Sequence, residues 1–340
     1  MFVLCSDLFS KVYQVFIIKN LDGGKMKQPL RYGATEGALG ILEKIEESLK
    51  SSDSWKNLGD NLLLLSTEAL EKRPTSALLV NTLRSLLMFA IQKYTEGADL
   101  EDFKEEFFRK IKDVKMKTLE AVEKLSDIGA RWLPESAVVL THSYSNSVIK
   151  TLQKASKLGK IREVFVTESR PGGEGIYTAR LLSSMGIKTN LIVDSAVNYF
   201  MSNVDFVLLG AEAITAHGAL VNKVGSSQIS LSAYKRRTRV IVVSGTYKFS
   251  FETLLGERIR VPFMDAAILE IPTDMLSIGT LKVSIPQMDI TPPEYIDAIV
   301  TEVGITSPEG VPILLWEVFG EWLGKQPEIS ELLSELKKIN

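Results

Sequence analysis

AVVLTHSYSNSVIK at residues 137–150, IREVFVTESRPGGEGIYTARLL at 161–182, IKTNLIVDSAVNYF at 187–200, VDFVLLGAEAIT at 204–215, HGALVNKVGSSQI at 217–229 and TRVIVVSGTYKF at 238–249 decide the fold. Each begins with a short run rich in Val, Ile and Leu and breaks at polar or Gly residues, and most then pass into helical spacing. That alternation predicts a parallel sheet with crossover helices on both faces, an α/β arrangement of Rossmann type. Ligands of open α/β sheets sit outside the carboxyl ends of the strands. Residues 141–145, 168–175, 194–195, 210–212 and 246–248 all fall at expected strand ends, so they should converge on one pocket.

Toward the N-terminus the periodicity is helical, from about 34 to 128. Phe103, Phe107, Ile111, Val114, Thr118, Val122 and Leu125 recur at steps of three and four, marking one buried stripe on a long helix. The adjoining ring of Phe108 is counted with the same apolar stripe. Further helices are expected over ATEGALGILEKIEESLK, over WKNLGDNLLLLSTEALEK and after Pro74. Gly129 and Pro134 mark the change of pattern, placing an all-helical domain over 1–130, with 1–25 as an extension, and the Rossmann-like domain over 131–340. In the final third the reading gives a surface loop at 250–263, strands near 264–271 and 281–285, and a helix beginning at Glu294 after Pro292 and Pro293. An amphipathic tail, EISELLSELKKI, closes the sequence.

The totals exclude several function classes. Lys plus Arg number 40 against 42 Asp plus Glu, a formal charge of -2, so no general attraction to nucleic acid or an acidic membrane exists. The cluster of Lys235, Arg236, Arg237 and Arg239 reads as a solvated helix end. Cys5 is the sole cysteine and the two histidines, His142 and His217, complete no zinc pattern, so neither a disulfide nor a metal is expected, and no cofactor is implied. Asp7 and Lys11 interrupt the apolar N-terminal stretch, which argues against a signal peptide and predicts a cytoplasmic protein.

Two loops are candidate anion sites. ESRPGGEG at 168–175 follows a strand and precedes a helix, where backbone N–H groups can hold a phosphate, and Arg170 adds a cation suited to phosphate oxygens. Gly173 and Gly175 give GxG and Asp194 ends the next strand, but Thr178 stands at the third glycine position, so dinucleotide binding is poorly supported. NKVGSSQ at 222–228 sets Lys223 before a helix start without the order of a P-loop. Glu168, Asp194 and Glu212 are acid or base candidates at strand ends. Ser143 lacks a GxSxG elbow, which speaks against a Ser-His hydrolase.

GATEGA at 33–38, RPTSALLVN at 73–81, LTHSYS at 140–145, VTESRP at 166–171, VDSA at 193–196, LGAEAI at 209–214, NKVGS at 222–226, YKF at 247–249 and DITPPEYIDAIVTEVG at 289–304 together carry a resemblance. The chain resembles the family that joins the α, β and δ regulatory subunits of translation initiation factor 2B to the isomerases of ribose 1,5-bisphosphate and 5-methylthioribose 1-phosphate. The resemblance implies a homo-oligomer, a dimer or higher, and the charge balance adds the expectation of no membrane and no direct nucleic-acid contact. It also implies a pocket for a phosphorylated sugar or a nucleotide such as AMP, built from Gly33, Ala34, Arg73, Arg170, Asp194, Asn222, Lys223 and Lys248.

At the two positions on which isomerisation hinges, the resemblance implies a cysteine where this chain has Ser143 and an aspartate where it has Glu212. A hydroxyl is a far poorer acid than a thiol, whose reference pKa is about 8.5. One added methylene can misplace a carboxylate by on the order of 1 Å, enough to cost roughly a hundredfold. Tyr32 stands where relatives have a basic residue, with Arg31 one place early, and Ile285 replaces an asparagine before Pro286. On these grounds the expectation is a non-catalytic regulatory subunit that binds a translation factor partner, with no catalytic residues. The alternative is an aldose–ketose isomerase of the ribose 1,5-bisphosphate type.

Overall fold

The computed structural model of the chain describes residues 33–256, 258–320 and 326–339. The proposed extension at 1–25, Cys5, Arg31 and Tyr32 lie outside these described residues. Among the described residues four helices come first: α1 (Ala34–Ser51), α2 (Trp55–Lys72), α3 (Ala77–Thr95) and α4 (Leu100–Trp132). The Ser54 hydroxyl accepts from the Asn57 N–H at the start of α2, and Asp99 accepts from Glu101 and Asp102 at the start of α4. Such caps satisfy amides that have no intrahelical partner.

The stripe expected on α4 is the buried face, with Phe103, Phe107, Ile111, Thr118, Val122 and Leu125 all buried and Val114 partly so. Trp55, Phe89, Phe103 and Phe107 form a chain of ring contacts, with centroids 4.6–6.2 Å apart. Phe108 departs from the expectation. One step of 100° past Phe107 turns its ring outward, and it is 40% exposed.

After α4 the chain alternates: β1 (Ala137–Thr141), α5 (Asn146–Lys157), β2 (Ile161–Thr167), α6 (Glu174–Ser184), β3 (Thr189–Ile192), β4 (Phe206–Leu209), β5 (Ala213–Thr215), β6 (Leu220–Lys223), α7 (Ser226–Arg236) and β7 (Arg239–Val243). Of these, β1, β2, β3, β4 and β7 build a seven-stranded sheet with β10 (Ala298–Thr301) and β11 (Gly304–Thr306), in the order β11-β10-β7-β4-β1-β2-β3. Every pairing in it is parallel except β10 with β11. Alternation along the strands supplies both faces. Val138, Leu140, Val207, Leu209, Val240 and Val242 enter one apolar cluster, while Val139, Val164, Val166, Leu208, Ile241 and Val243 enter the other. A strand buried on both faces is continuously apolar, which is why the sequence runs were legible. Each such Val, Ile or Leu contributes about 1.5–3 kcal/mol by burial.

Three expectations are corrected. Residues 264–271 form a 3₁₀ turn at Ala266–Leu269 rather than a strand, and the neighbourhood of 281–285 contributes only an isolated bridge between Phe263 and Pro286. Past Pro292 the helix expected from Glu294 is one 3₁₀ turn, Pro293–Tyr295, after which the chain enters β10. The β-branched, fully buried Ala298–Thr301 run pairs with β7, and that burial overrides the helix start that the prolines suggest. A second sheet, of order β8-β5-β6-β9, was not foreseen; β8 is Phe249–Ser250 and β9 is Met288–Thr291.

The chain ends in α8 (Val311–Phe319) and α9 (Ile329–Leu336). The amphipathic tail folds back on the helices, with Leu332, Leu336 and Ile339 buried in the cluster that holds Phe103 and Phe107. Gly59 permits this docking, because a Cβ there would lie 3.2 Å from the Ile339 side chain.

Candidate functional site

Because β1, β2, β3, β4 and β7 are parallel, the residues following them share one edge of the sheet. Ser143, two residues past β1, and Ser169, two past β2, both adopt left-handed backbone, with φ of 62° and 64°. The Ser143 N–H donates to Ser169 Oγ at 2.7 Å, and the Ser143 carbonyl accepts from Thr178 Oγ1 at 2.8 Å. Left-handed non-glycine backbone costs of order 1–3 kcal/mol and gathers at functional sites. Gly175 lets α6 close on β2, since a Cβ there would come within 1.7 Å of the Thr167 carbonyl oxygen.

His142 stands behind these serines, fully buried. Its Nε2 lies 2.9 Å from the Val224 carbonyl and its Nδ1 2.5 Å from Thr167 Oγ1. Burial pushes the imidazole pKa down, so the neutral ring donates from Nε2 and accepts from the Thr167 hydroxyl at Nδ1. Asp194 accepts from the backbone N–H groups of Ser169 and Arg170 at 2.8 and 2.6 Å. It therefore fixes the turn that carries Ser169, while Arg170 itself is exposed.

The second group of site residues spans the helices and the sheet. Arg73, at the C-cap of α2, pairs with Glu212 at 3.5 Å, and its side chain crosses Gly37, where a Cβ would stand 3.1 Å from Nε. Glu212 is 6% exposed. Lys248 is 3% exposed, and its ammonium donates to the Ala211 carbonyl at 2.9 Å, one residue before Glu212. Burial drives the Lys248 pKa down, and the Glu212 and Glu36 carboxylates oppose that shift. Asn81, within a motif quoted for the resemblance but not counted among the site residues, holds this region in place. Its Nδ2 donates to the Tyr247 and Phe249 carbonyls at 3.1 and 3.0 Å, on either side of Lys248.

Gly33 is the N-cap of α1 and Ala34 its first residue. Glu36, in the first turn, accepts from the Tyr144 hydroxyl at 3.0 Å, which ties this helix end to the loop carrying Ser143. The strand register brings the Ser143 and Glu212 loops together as well. Thr141 of β1 pairs with Leu208 of β4, and a Cβ on Gly210 would come within 2.3 Å of Ser145 Oγ.

Lys223 and Asn222 are engaged within the protein. Lys223 pairs with Glu174 at 2.9 Å, both well buried, and Asn222 Nδ2 donates to Ser226 Oγ at 2.9 Å. The start of α7, read as an anion site, holds an internal carboxylate. Asp289 Oδ2 accepts from the Gly225 and Ser227 N–H groups at 2.7 and 3.1 Å. Burial raises the Asp289 pKa from 3.8 to about 6. Sequence reading passed over Asp289, Glu36, Glu174 and Asn81; the signal available for Glu174 and Glu36 was an acidic residue in the first turn after a glycine-containing loop. Among the described residues no group of three or more His, Cys, Asp or Glu side chains could hold a metal ion, and no helix is long and apolar enough to cross a membrane.

Comparison with known proteins supplies the context for this geometry. The profile described as the initiation factor 2 subunit family matches residues 33–308. A protein of Pyrococcus furiosus named ribose 1,5-bisphosphate isomerase is 34% identical over 87% of this chain and 90% of its own length. One of the same name from Methanocaldococcus jannaschii is 34% identical over 94% of this chain and 97% of its own. Among solved structures, the translation initiation factor eIF-2B of Pyrococcus horikoshii OT3 superposes with a TM-score of 0.66 at 26% identity, covering 83% of this chain and 94% of that one. Near-full-length relatives bearing an isomerase name overturn the expectation of a non-catalytic regulatory subunit. The Glu212 position does not stand alone, since Arg73 pairs with Glu212 and the Lys248 ammonium is held on the carbonyl one residue before it.

Proposed function

The chain belongs to the initiation factor 2 subunit family, and from that premise we propose that it is an aldose–ketose isomerase of a phosphorylated ribose. The observation that carries this reading is the buried Glu212 carboxylate, paired with Arg73 and next in sequence to the carbonyl that holds the Lys248 ammonium. Isomerisation needs a group that takes a proton from one carbon and returns it to the next, plus a group that serves the oxygens. Glu212 fits the first task and Lys248 the second.

In this mechanism Lys248 gives a proton to the ring oxygen as the C1–O bond opens, while Glu212 removes the proton on C2, leaving a C1–C2 enol. Glu212 then returns its proton to C1, and the neutral amine of Lys248 takes the proton from O2 as the ketone forms. Nothing is consumed, and both side chains end as they began. An amine must lose and regain its proton near neutral pH to do this, and burial moves Lys248 in that direction. Lys248 thus takes the acid role that Ser143 is too weak an acid to fill. Ser143 is left as a hydrogen-bonding group toward the sugar. Arg170, Asn222 and Lys223 receive the phosphate, with Lys223 exchanging Glu174 for a phosphate oxygen. Self-association belongs to the same reading and is supported by Ile313 and Trp316 of α8, 67% and 63% exposed.

The test is incubation with ribose 1,5-bisphosphate, ribose 1-phosphate and ribose 5-phosphate in D₂O, following ketopentose formation and deuterium uptake at C1 by NMR. A ketose product is expected from at least one of them, with the rate reduced about 10²–10⁴-fold in Glu212→Gln. No ketose from any ribose phosphate, or an unchanged rate in the variant, would defeat the proposal.

A further inference from the structure

We propose that Glu36 makes this site select an aldose carrying a single phosphate, with sugar hydroxyls rather than a second phosphate set against the Gly33 turn. This rests on the isomerase reading for the reaction, but on separate residues for the selectivity. A helix N-terminus favours negative charge, and the start of α1 is where the resemblance implies a ligand contact through Gly33 and Ala34. In this chain that place holds the protein's own carboxylate. Glu36 folds back over the N-cap, with Oε2 2.7 Å from where a Cβ on Gly33 would stand.

The carboxylate is fixed from the opposite side as well. The Tyr144 hydroxyl donates to Oε1 at 3.0 Å, and the Tyr144 ring lies 3.1 Å from the same Cβ position and 5.5 Å from the ring of Tyr177. The same helix start adjoins the Arg73–Glu212 pair, since a Cβ on Gly37 would stand 3.1 Å from Arg73 Nε, and the Glu36 carboxylate raises the proton affinity of its neighbours Lys248, Tyr247 and Tyr177. A phosphate at this turn would bring a dianion against a positioned carboxylate, a like-charge contact that suppresses binding. A sugar hydroxyl suffers no such penalty. It can donate to Glu36 and accept from the Lys248 ammonium, so the pair reads a hydroxyl and rejects an anion.

The experiment measures kcat/KM and calorimetric Kd for ribose 1,5-bisphosphate, ribose 1-phosphate and ribose 5-phosphate, on the full chain and on Glu36→Gln. Wild type is expected to favour one monophosphate over the bisphosphate by at least about tenfold, and the Gln variant to narrow that ratio by about tenfold or more. A wild-type preference for the bisphosphate, or a ratio unmoved by Glu36→Gln, overturns the proposal. Should wild type turn over none of the three, the isomerase reading falls and the Kd ratios alone decide Glu36 by the same criterion; failure to bind any of them overturns both. Tyr144→Phe provides a second variant if Glu36→Gln does not fold. It keeps the carboxylate but loosens it, and a shift of the ratio in the same direction, smaller in size, is the supporting result, whereas no shift counts against the proposal.

Discussion

Among the described residues, Arg84–Glu252 and Arg73–Glu212 join the helices to the second half of the chain, and they are built differently. Arg84 is 2% exposed. It pairs with Glu252, donates from Nε to the Pro327 carbonyl at 3.1 Å and from Nη1 to Asn81 Oδ1 at 3.3 Å, and lays its guanidinium 4.5 Å over the Phe251 ring. Arg73 has a side chain 28% exposed and meets Glu212 at 3.5 Å, long for an ion pair. A guanidinium saturated on every side has nothing left to offer a ligand. One that stands partly in solvent beside a buried carboxylate is within reach of a ligand, so the contrast separates a clamp from a working group.

The sharpest way to break this contrast is to remove the clamp. Arg84→Met keeps most of the stem volume but leaves Glu252 and the Pro327 carbonyl without their cation. Stripping one partner from a buried pair costs about 3–5 kcal/mol. Urea denaturation should register that loss, and a loss below about 1 kcal/mol would mean that Arg84 is no clamp. Arg73→Gln is the matching change on the other side. Partial exposure and the long contact limit its effect on stability to about 1 kcal/mol or less, while catalysis should suffer because Glu212 loses the charge beside it. A destabilisation equal to that of Arg84→Met would erase the distinction.

The same contrast explains what was legible beforehand. The strands β1, β2, β4 and β7 announced themselves because burial on both faces forces unbroken Val, Ile and Leu, and their carboxyl ends were read directly from where those runs stopped. Of the second sheet only the β6 run at 220–223 was visible, and it read as part of the parallel sheet, since strands of two to four residues are too short to establish a period or a partner. Glu212, Lys248 and Arg73 were recognisable through motifs and through strand ends. Glu36 and Asp289 were not, because each acts on backbone or side chains that only the fold brings near. A carboxylate in a first helical turn reads as a cap, and nothing in DITPPEY says that its aspartate returns to the start of α7, over 60 residues earlier.

Asp289 falls between the clamp and the working pair, and it yields the smallest effect. Its Oδ2 accepts two backbone N–H groups, whereas its Oδ1 is buried and accepts no hydrogen bond among the described residues. Burial raises the pKa from 3.8 to about 6, so between about pH 4 and pH 6 the native state holds more protons than the unfolded chain. Stability contributed by this group is therefore present below pH 4 and lost as pH rises through 6. Asn keeps an acceptor for the Gly225 and Ser227 N–H groups and does not ionise, so Asp289→Asn should gain on wild type by on the order of 1–2 kcal/mol between pH 4 and pH 7. Urea denaturation of both proteins at the two pH values measures this difference. A gap that stays constant, or one that closes in favour of wild type at pH 7, would show that the carboxylate is as well satisfied as Arg84, and that partial satisfaction of a buried charge does not by itself mark a group free to act.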